Sequence, residues 1–202
     1  MSAGHPHRRL NARHEAELAR LRRDPAVAAR LGRRFAIDTR HDVADLAGYD
    51  TAGRTIYIDR HLAAALRAGR LALPGRGNAQ VGRIVMRALA THEHTEKALI
   101  DAKGYSYPAA HEFATLAEHQ LLRSAGVAPH AYEAALKPWI RRISRGPIET
   151  PPKQLDCTPY RDDPDRADQR VLAIYRRLGV TDAARPVERD ERFPNRERHG
   201  VA

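Results

Sequence analysis

The segment 79–102 constrains the fold most strongly, because it carries the clearest helical pattern in the chain and Gly104 follows it as a helix C-cap. Its apolar side chains gather in one stripe of the helix, which includes Val81, Ile84, Val85, Ala88 and Leu99. His92 and Glu96 fall in the middle of this stripe, where the helix should face a core. A buried carboxylate without a partner is costly, so the fold must supply a cation or hydrogen-bond donors opposite Glu96.

A second helix, predicted over about 108–124, supplies suitable partners. Its apolar face contains Ala110, Phe113, Ala114, Ala117 and Leu121. His111 and Glu118 share a stripe at the border of that face. Because two helices joined by a short loop usually pack antiparallel, we expect this stripe to meet His92 and Glu96. Two imidazoles and two carboxylates would then surround one point between the helices, an arrangement that can hold a metal ion.

The string His92-Glu-His-Thr-Glu96 resembles the active helix of the zincins, metallopeptidases whose H-E-x-x-H motif supplies two zinc ligands and a general base. The resemblance implies that His92 is a zinc ligand and that Glu93 is the base that activates water. Glu96 stands where the family has its second His. With His111 as a third ligand, the set becomes two His and one Glu with an open position for water. Glu118 is then expected to orient His111 or to act as a fourth ligand.

A β-hairpin is predicted upstream of this helix, from two short apolar segments, 46–49 and 55–58, that flank the turn residues 50–53. A further short strand is predicted over 35–38. The resemblance to the zincins covers about 43–124 and implies that an antiparallel edge strand beside the active helix receives an extended peptide or protein substrate. The sequence therefore predicts an α+β fold, mostly helical, with a small antiparallel hairpin or sheet packed beside the two-helix His/Glu site.

The chain as a whole is predicted to divide into four regions. Residues 1–34 are predicted to form a basic helical arm that is peripheral to the core domain, 35–145. That domain ends in a helix from 129 to about 145 with apolar residues at core spacing, namely Tyr132, Leu136, Trp139, Ile140 and Ile143. Residues 146–179 are predicted to be a proline-rich surface connector followed by a short helix that ends before a glycine. Residues 180–202 are charged, poor in apolar groups and predicted to be disordered.

Charge and cysteine content restrict the partners. The net charge is +10 and the pI about 10.3, and the arm holds nine Arg against three acidic residues, so a nucleic acid bound through the arm is one expected partner. Cys157 is the only cysteine, which excludes an internal disulfide and leaves His, Asp and Glu as metal ligands. No apolar run is long enough to span a membrane and no secretory signal is recognisable, so the cytoplasm is the expected compartment.

Three functions remain open at this stage. The first is a zinc-dependent hydrolase, peptidase-like in mechanism. The second is a non-haem iron protein, since two His and one carboxylate also bind Fe²⁺. The third is a nucleic-acid-binding accessory protein whose His/Glu cluster is structural. The strings 53–60, 96–99, 110–114 and 159–162 also resemble uncharacterised proteins of bacterial and phage origin, which imply no activity.

Overall fold

The computed structural model describes residues 12–162 and 166–181. The helices in these two ranges are α1 Ala12–Arg23, α2 Pro25–Leu31, α3 Arg60–Arg67, α4 Asn78–Lys103, α5 Tyr107–Ser124, α6 Pro129–Ile143, α7 Thr158–Asp162 and α8 Arg166–Arg177. The strands are β1 Ala36–Asp38, β2 Ala47–Tyr49 and β3 Thr55–Ile58. The fold is α+β and mostly helical, as the sequence predicts. No helix within the described residues combines the length and the apolar character that a membrane span requires.

The sheet has the strand order β1-β3-β2. The predicted hairpin is present, because β2 and β3 pair antiparallel with Tyr49 opposite Ile56. The sheet as a whole is mixed, since the third strand, β1, pairs parallel to β3 with Ala36 opposite Thr55. The chain reverses between β1 and β2 and again between β2 and β3. The two reversals leave β1 and β3 running in the same direction, and they pair because β3 lies between the other two strands.

The α4/α5 pair is the centre of the helical part. Gly104 ends α4 in the left-handed conformation (φ 64°), and Pro108 lies in the first turn of α5. The two helices pack antiparallel along much of their length. The main apolar core joins the first half of α4 to the sheet, α3 and α6. In α6, Trp139 is partly buried against this core, but Ile140 is 45% exposed, so the expectation of Ile140 as a core residue is wrong.

The N-terminal helices belong to the core, contrary to the prediction of a peripheral arm. Leu18 of α1 is buried against α5, in a cluster with Leu116 and Ala117. Leu21 and Val27 are buried in a neighbouring cluster, which also contains Leu99, Tyr105 and Ala110. The α4/α5 pair has apolar side chains on more than one side, and α1 and α2 cover the side that the sheet leaves open. Residues 1–11 of the predicted arm lie outside the described part.

The proline-rich segment is also part of the structure rather than a surface connector. Leu155 and Cys157 are buried in a second core with Val43, Leu172 and Tyr175. The predicted final helix is present as α8. Val180 is buried in the same core, so the predicted disordered region does not begin at residue 180. Residues 182–202 lie outside the described part.

Candidate metal centre

Three side chains from α4 and α5 converge on one point. The His92 Nε2 atom is 3.1 Å from the His111 Nδ1 atom, which is 3.0 Å from the Glu96 Oε2 atom. The His92 Nε2 and Glu96 Oε2 atoms are 3.6 Å apart. His92 and Glu96 are one helical turn apart on α4, and the antiparallel packing brings the second turn of α5 opposite them. The structure thus brings together three residues that the helical periodicity singled out.

The triangle of donor atoms fits a transition-metal ion. Its sides of 3.0, 3.1 and 3.6 Å correspond to a circumscribed radius of about 1.9 Å. A point slightly outside the plane of the triangle is therefore about 2.0–2.1 Å from all three atoms, which is the length of zinc bonds to His and carboxylate ligands. Two imidazoles and one carboxylate are also a ligand set that such metals prefer.

The site is closed on one side and open on the other. Glu96 and His92 are buried, whereas the His111 side chain is 47% exposed. Tyr107, one turn before His111 on α5, lies beside this opening with its ring centroid 5.5 Å from that of His111. The exposed His111 side chain therefore lets a small molecule approach the three donor atoms from the side of α5.

Glu118 orients His92, not His111 as expected from the sequence. Its Oε2 atom is 3.3 Å from the His92 Nδ1 atom, on the side of the ring away from the three donor atoms. Its Oε1 atom accepts a hydrogen bond of 2.6 Å from the Tyr132 hydroxyl. Both carboxylate oxygens of Glu118 are thus engaged outside the triangle. A carboxylate behind a histidine in this way fixes the tautomer that leaves Nε2 free to bind a metal.

Tyr49 plays the corresponding role for Glu96. Its buried hydroxyl, on β2, donates a hydrogen bond of 2.9 Å to Glu96 Oε1, which leaves Oε2 facing the two histidines. The Lys97 ammonium lies 5.5 Å from the Tyr49 ring centroid and forms buried ion pairs with Asp101 and Asp156. Sequence reasoning missed Tyr49 and treated Tyr132 only as a core residue. The available signal was that a buried tyrosine hydroxyl usually requires a partner.

The electrostatics of the cluster favour a positive charge at its centre. Burial alone would lower the pKa of His92, but hydrogen bonds that its ring donates to the Glu118 and Glu96 carboxylates raise it well above its ordinary value. Burial likewise opposes ionisation of Glu96, yet His111 and His92 bring its pKa down to about 2. Two carboxylates therefore stabilise a cation at His92. A proton or a metal ion can provide that charge, and the two compete for the same nitrogen.

Glu93 lies beside the triangle but is not part of it. Its carboxyl forms no hydrogen bond or ion pair with any residue in the described ranges. Burial raises its pKa well above the ordinary value, and the carboxylates of Glu96, Asp45 and Glu118 add to this effect, while His92 opposes it. A carboxyl group that is close to the candidate ligands and not engaged by them is available for proton transfer.

The strand that was expected to receive a substrate is covered. The outer edge of β2 pairs with the proline-rich segment, since the Asp156 amide donates to the Tyr49 carbonyl (2.9 Å) and the Thr51 amide donates to the Gln154 carbonyl (3.0 Å). The other sheet edge, β1, is separated from Tyr49 by β3. The implied binding of an extended peptide along the hairpin is therefore wrong for β2.

Comparisons with protein families, with curated proteins and with solved structures give no match to this chain. The resemblance to the zincins therefore depends on the motif between His92 and Glu96 and on the geometry around it. Any function has to follow from the chemistry of the site itself.

Proposed function

We propose that the protein is a zinc-dependent hydrolase in which His92, Glu96 and His111 hold the metal ion. The observation that carries the proposal is the triangle of donor atoms, with separations of 3.0–3.6 Å, combined with Glu118 behind His92. Tetrahedral zinc sites have donor atoms about 3.3 Å apart when the bonds are about 2.0–2.1 Å long. When bound, zinc polarises the substrate and lowers the pKa of a water molecule.

The protein residues around the triangle have separate roles in the proposed reaction. A cation held at the triangle would oppose the rise in the Glu93 pKa, as His92 does, and the ionised Glu93 would then accept a proton from the attacking water and deliver it to the leaving group. Glu118, held by Tyr132, keeps the His92 ring in place, and Tyr49 does the same for the Glu96 carboxylate. The substrate enters from the exposed side of His111.

A purely structural His/Glu network is the main competing interpretation, and two features argue against it. The His111 Nδ1 atom is 3.1 Å from His92 Nε2 and 3.0 Å from Glu96 Oε2, and its single hydrogen or lone pair can serve only one of these two neighbours. A metal ion would be bound by all three atoms at once. A structural network also gains nothing from leaving one member, His111, half exposed.

Peptides remain the first substrates to test, because the H-E-x-x-E arrangement resembles the zincin motif. They would have to bind through the opening beside His111 and Tyr107, because the edge of β2 is occupied. Small esters and amides fit the same opening, so a panel of both kinds of substrate is needed.

Metal analysis of the purified protein tests the proposal directly. We expect about one zinc ion per chain, lost on chelation and restored by Zn²⁺. His92→Ala and His111→Ala should each lose the metal, whereas His130→Ala, an exposed histidine on α6, should retain it. The zinc-loaded protein should hydrolyse at least one member of a panel of casein, short peptides and aryl esters, and the chelated protein should not.

Two results would contradict the proposal. Failure of the metal-free protein to bind added Zn²⁺ or Fe²⁺ would make the cluster a structural network. Selective binding of Fe²⁺ in air-free buffer would instead indicate non-haem iron chemistry, which uses the same ligand set.

A further inference from the structure

Three arginine side chains meet at the junction between the N-terminal helices and the sheet. Arg33, Arg34 and Arg54 line an open cleft of about 380 Å³. The first two follow α2, and the third lies in the hairpin turn just before β3. None of them belongs to the metal centre or to its hydrogen-bonded neighbours.

The parallel pairing of β1 and β3 brings these arginines together. Ala36 is opposite Thr55, and the Ala36 amide donates a hydrogen bond of 2.8 Å to the Arg54 carbonyl. In a parallel pair both strands begin at the same end of the sheet. Arg54 immediately precedes β3 and Arg34 lies two residues before β1, so the two arginines come to the same cleft although twenty positions separate them in the sequence.

The turn that carries Arg54 has a defined conformation. The Asp50 carboxylate accepts a hydrogen bond of 2.7 Å from the Arg54 amide. Gly53 has a positive φ of 65°, and a Cβ atom there would lie 3.2 Å from the Lys97 side chain, so the turn is seated directly on α4. On the other side of the cleft, Phe35 packs against the His94 ring with centroids 4.7 Å apart. Both backbone segments that carry the arginines are thus anchored to the same helix.

The positive charge of the cleft has no carboxylate partner in the part of the chain that the structure describes. None of the three guanidinium groups forms a hydrogen bond or ion pair within residues 12–162 and 166–181. Neighbouring arginines do have such partners, since Arg30 pairs with Asp101 and Arg40 with Asp38. Three converging guanidinium groups that form no ion pair with a described carboxylate repel one another, and a bound anion would relieve that repulsion.

We propose that this cleft binds the phosphate backbone of a nucleic acid. Guanidinium groups match phosphate oxygens in charge and in geometry. The cleft is lined by arginine alone, without an aromatic ring on which a base could stack, so recognition is of the backbone and independent of sequence. Arg33 and Arg34 are the last two residues of the basic region 1–34, which holds +6 of the net charge.

Binding of short random-sequence duplex DNA to the full-length protein tests this proposal. Fluorescence anisotropy across a series of NaCl concentrations gives both the affinity and its salt dependence. The variant Arg33→Ala/Arg34→Ala/Arg54→Ala should bind about tenfold or more weakly, and the slope of log K against log[salt] should become shallower by about 0.9 for each phosphate that the variant no longer neutralises. The matched control is Arg83→Ala/Arg87→Ala/Arg141→Ala, which removes the same charge from exposed positions elsewhere.

The outcomes are distinguishable. The proposal is supported if the cleft variant binds DNA more weakly than the wild type does and the control variant binds DNA about as tightly as the wild type. Equal weakening in both variants overturns it, because net charge alone would then explain the binding. Binding of polyglutamate at the same cleft with equal affinity also overturns it, in favour of an acidic protein partner. Binding of inorganic phosphate as tightly as DNA would also overturn the proposal. The zinc content of the cleft variant should be unchanged, so this proposal and that of the hydrolase can fail independently.

Discussion

The Nδ1 atom of His92 lies 3.3 Å from the Oε2 atom of Glu118, on the side of the ring opposite to His111. This contact determines what His92 can do. If Nδ1 carries the hydrogen that faces the carboxylate, the Nε2 lone pair is directed towards Glu96 and His111. Glu118 on α5 thus orients His92 on α4 for binding a cation.

Glu118→Gln should weaken zinc binding by about 10–100-fold without removing a ligand. The amide carries no charge to stabilise His92, and it can present a hydrogen-bond donor to Nδ1 where the carboxylate presents only acceptors. Competition with a chromophoric chelator measures the affinity. Glu112→Gln, an exposed position on the same helix, is the control and should bind zinc as the wild type does. An unchanged affinity in Glu118→Gln would mean that the contact does not tune the metal site.

Tyr49→Phe should destabilise the fold by about 1–3 kcal/mol, because it leaves a buried carboxylate oxygen of Glu96 without its donor. Urea unfolding at pH 7 measures the loss. Tyr57→Phe on the neighbouring strand removes a hydroxyl from a ring of similar burial and should cost less. If the two variants have the same stability, the hydrogen bond from Tyr49 to Glu96 contributes little.

The sequence could predict the metal centre only in part. His92, Glu96 and His111 were found because a helix has a fixed period, so their spacing determines which of them share a face. Tyr49 and Tyr132 come from β2 and α6, and their hydroxyls reach the site through tertiary packing that no local period encodes. The same reason explains the missed cleft, since Arg34 and Arg54 meet only through a parallel strand register.

The predicted arm was wrong for a related physical reason. Its pattern of leucine and arginine is compatible with either an isolated helix or a helix docked on a neighbour. What decides between them is whether another element offers an apolar surface, and α4 and α5 offer one next to Leu99 and Leu116. That information lies far from residues 12–31 in the sequence.

Leu21→Ala is therefore expected to destabilise the protein by about 2–5 kcal/mol, the usual cost of truncating a fully buried leucine. The control is Ile140→Ala, which truncates an exposed side chain and should change the stability by about 0.5 kcal/mol or less. Denaturant unfolding of both variants provides the comparison. A value for Leu21→Ala as small as that for the control would show that α1 is peripheral after all.

Asp42 gives a pH-dependent prediction. Burial alone would raise the pKa of this carboxyl, but the Thr150 and Glu149 amides and Arg60 lower it below its ordinary value. A lowered pKa means that the stabilisation is complete above the unfolded-state pKa of about 3.9 and is lost as the pH falls through the lower folded-state value. Asp42→Asn should therefore be less stable than the wild type at pH 7, and the difference should shrink below about pH 4. A constant difference at all pH values would exclude this charge effect.

Glu93→Gln should separate metal binding from hydrolysis. Glu93 is not one of the three converging donors, so zinc content and affinity should be close to those of the wild type. Hydrolysis should fall by about 10²–10⁴-fold, because the amide cannot accept the proton of the attacking water. Zinc stoichiometry and turnover are measured on the same preparation, with chelated wild-type protein as the blank. Loss of metal in this variant would make Glu93 a ligand and favour a carboxylate-rich iron site, whereas full activity would assign proton transfer to another group.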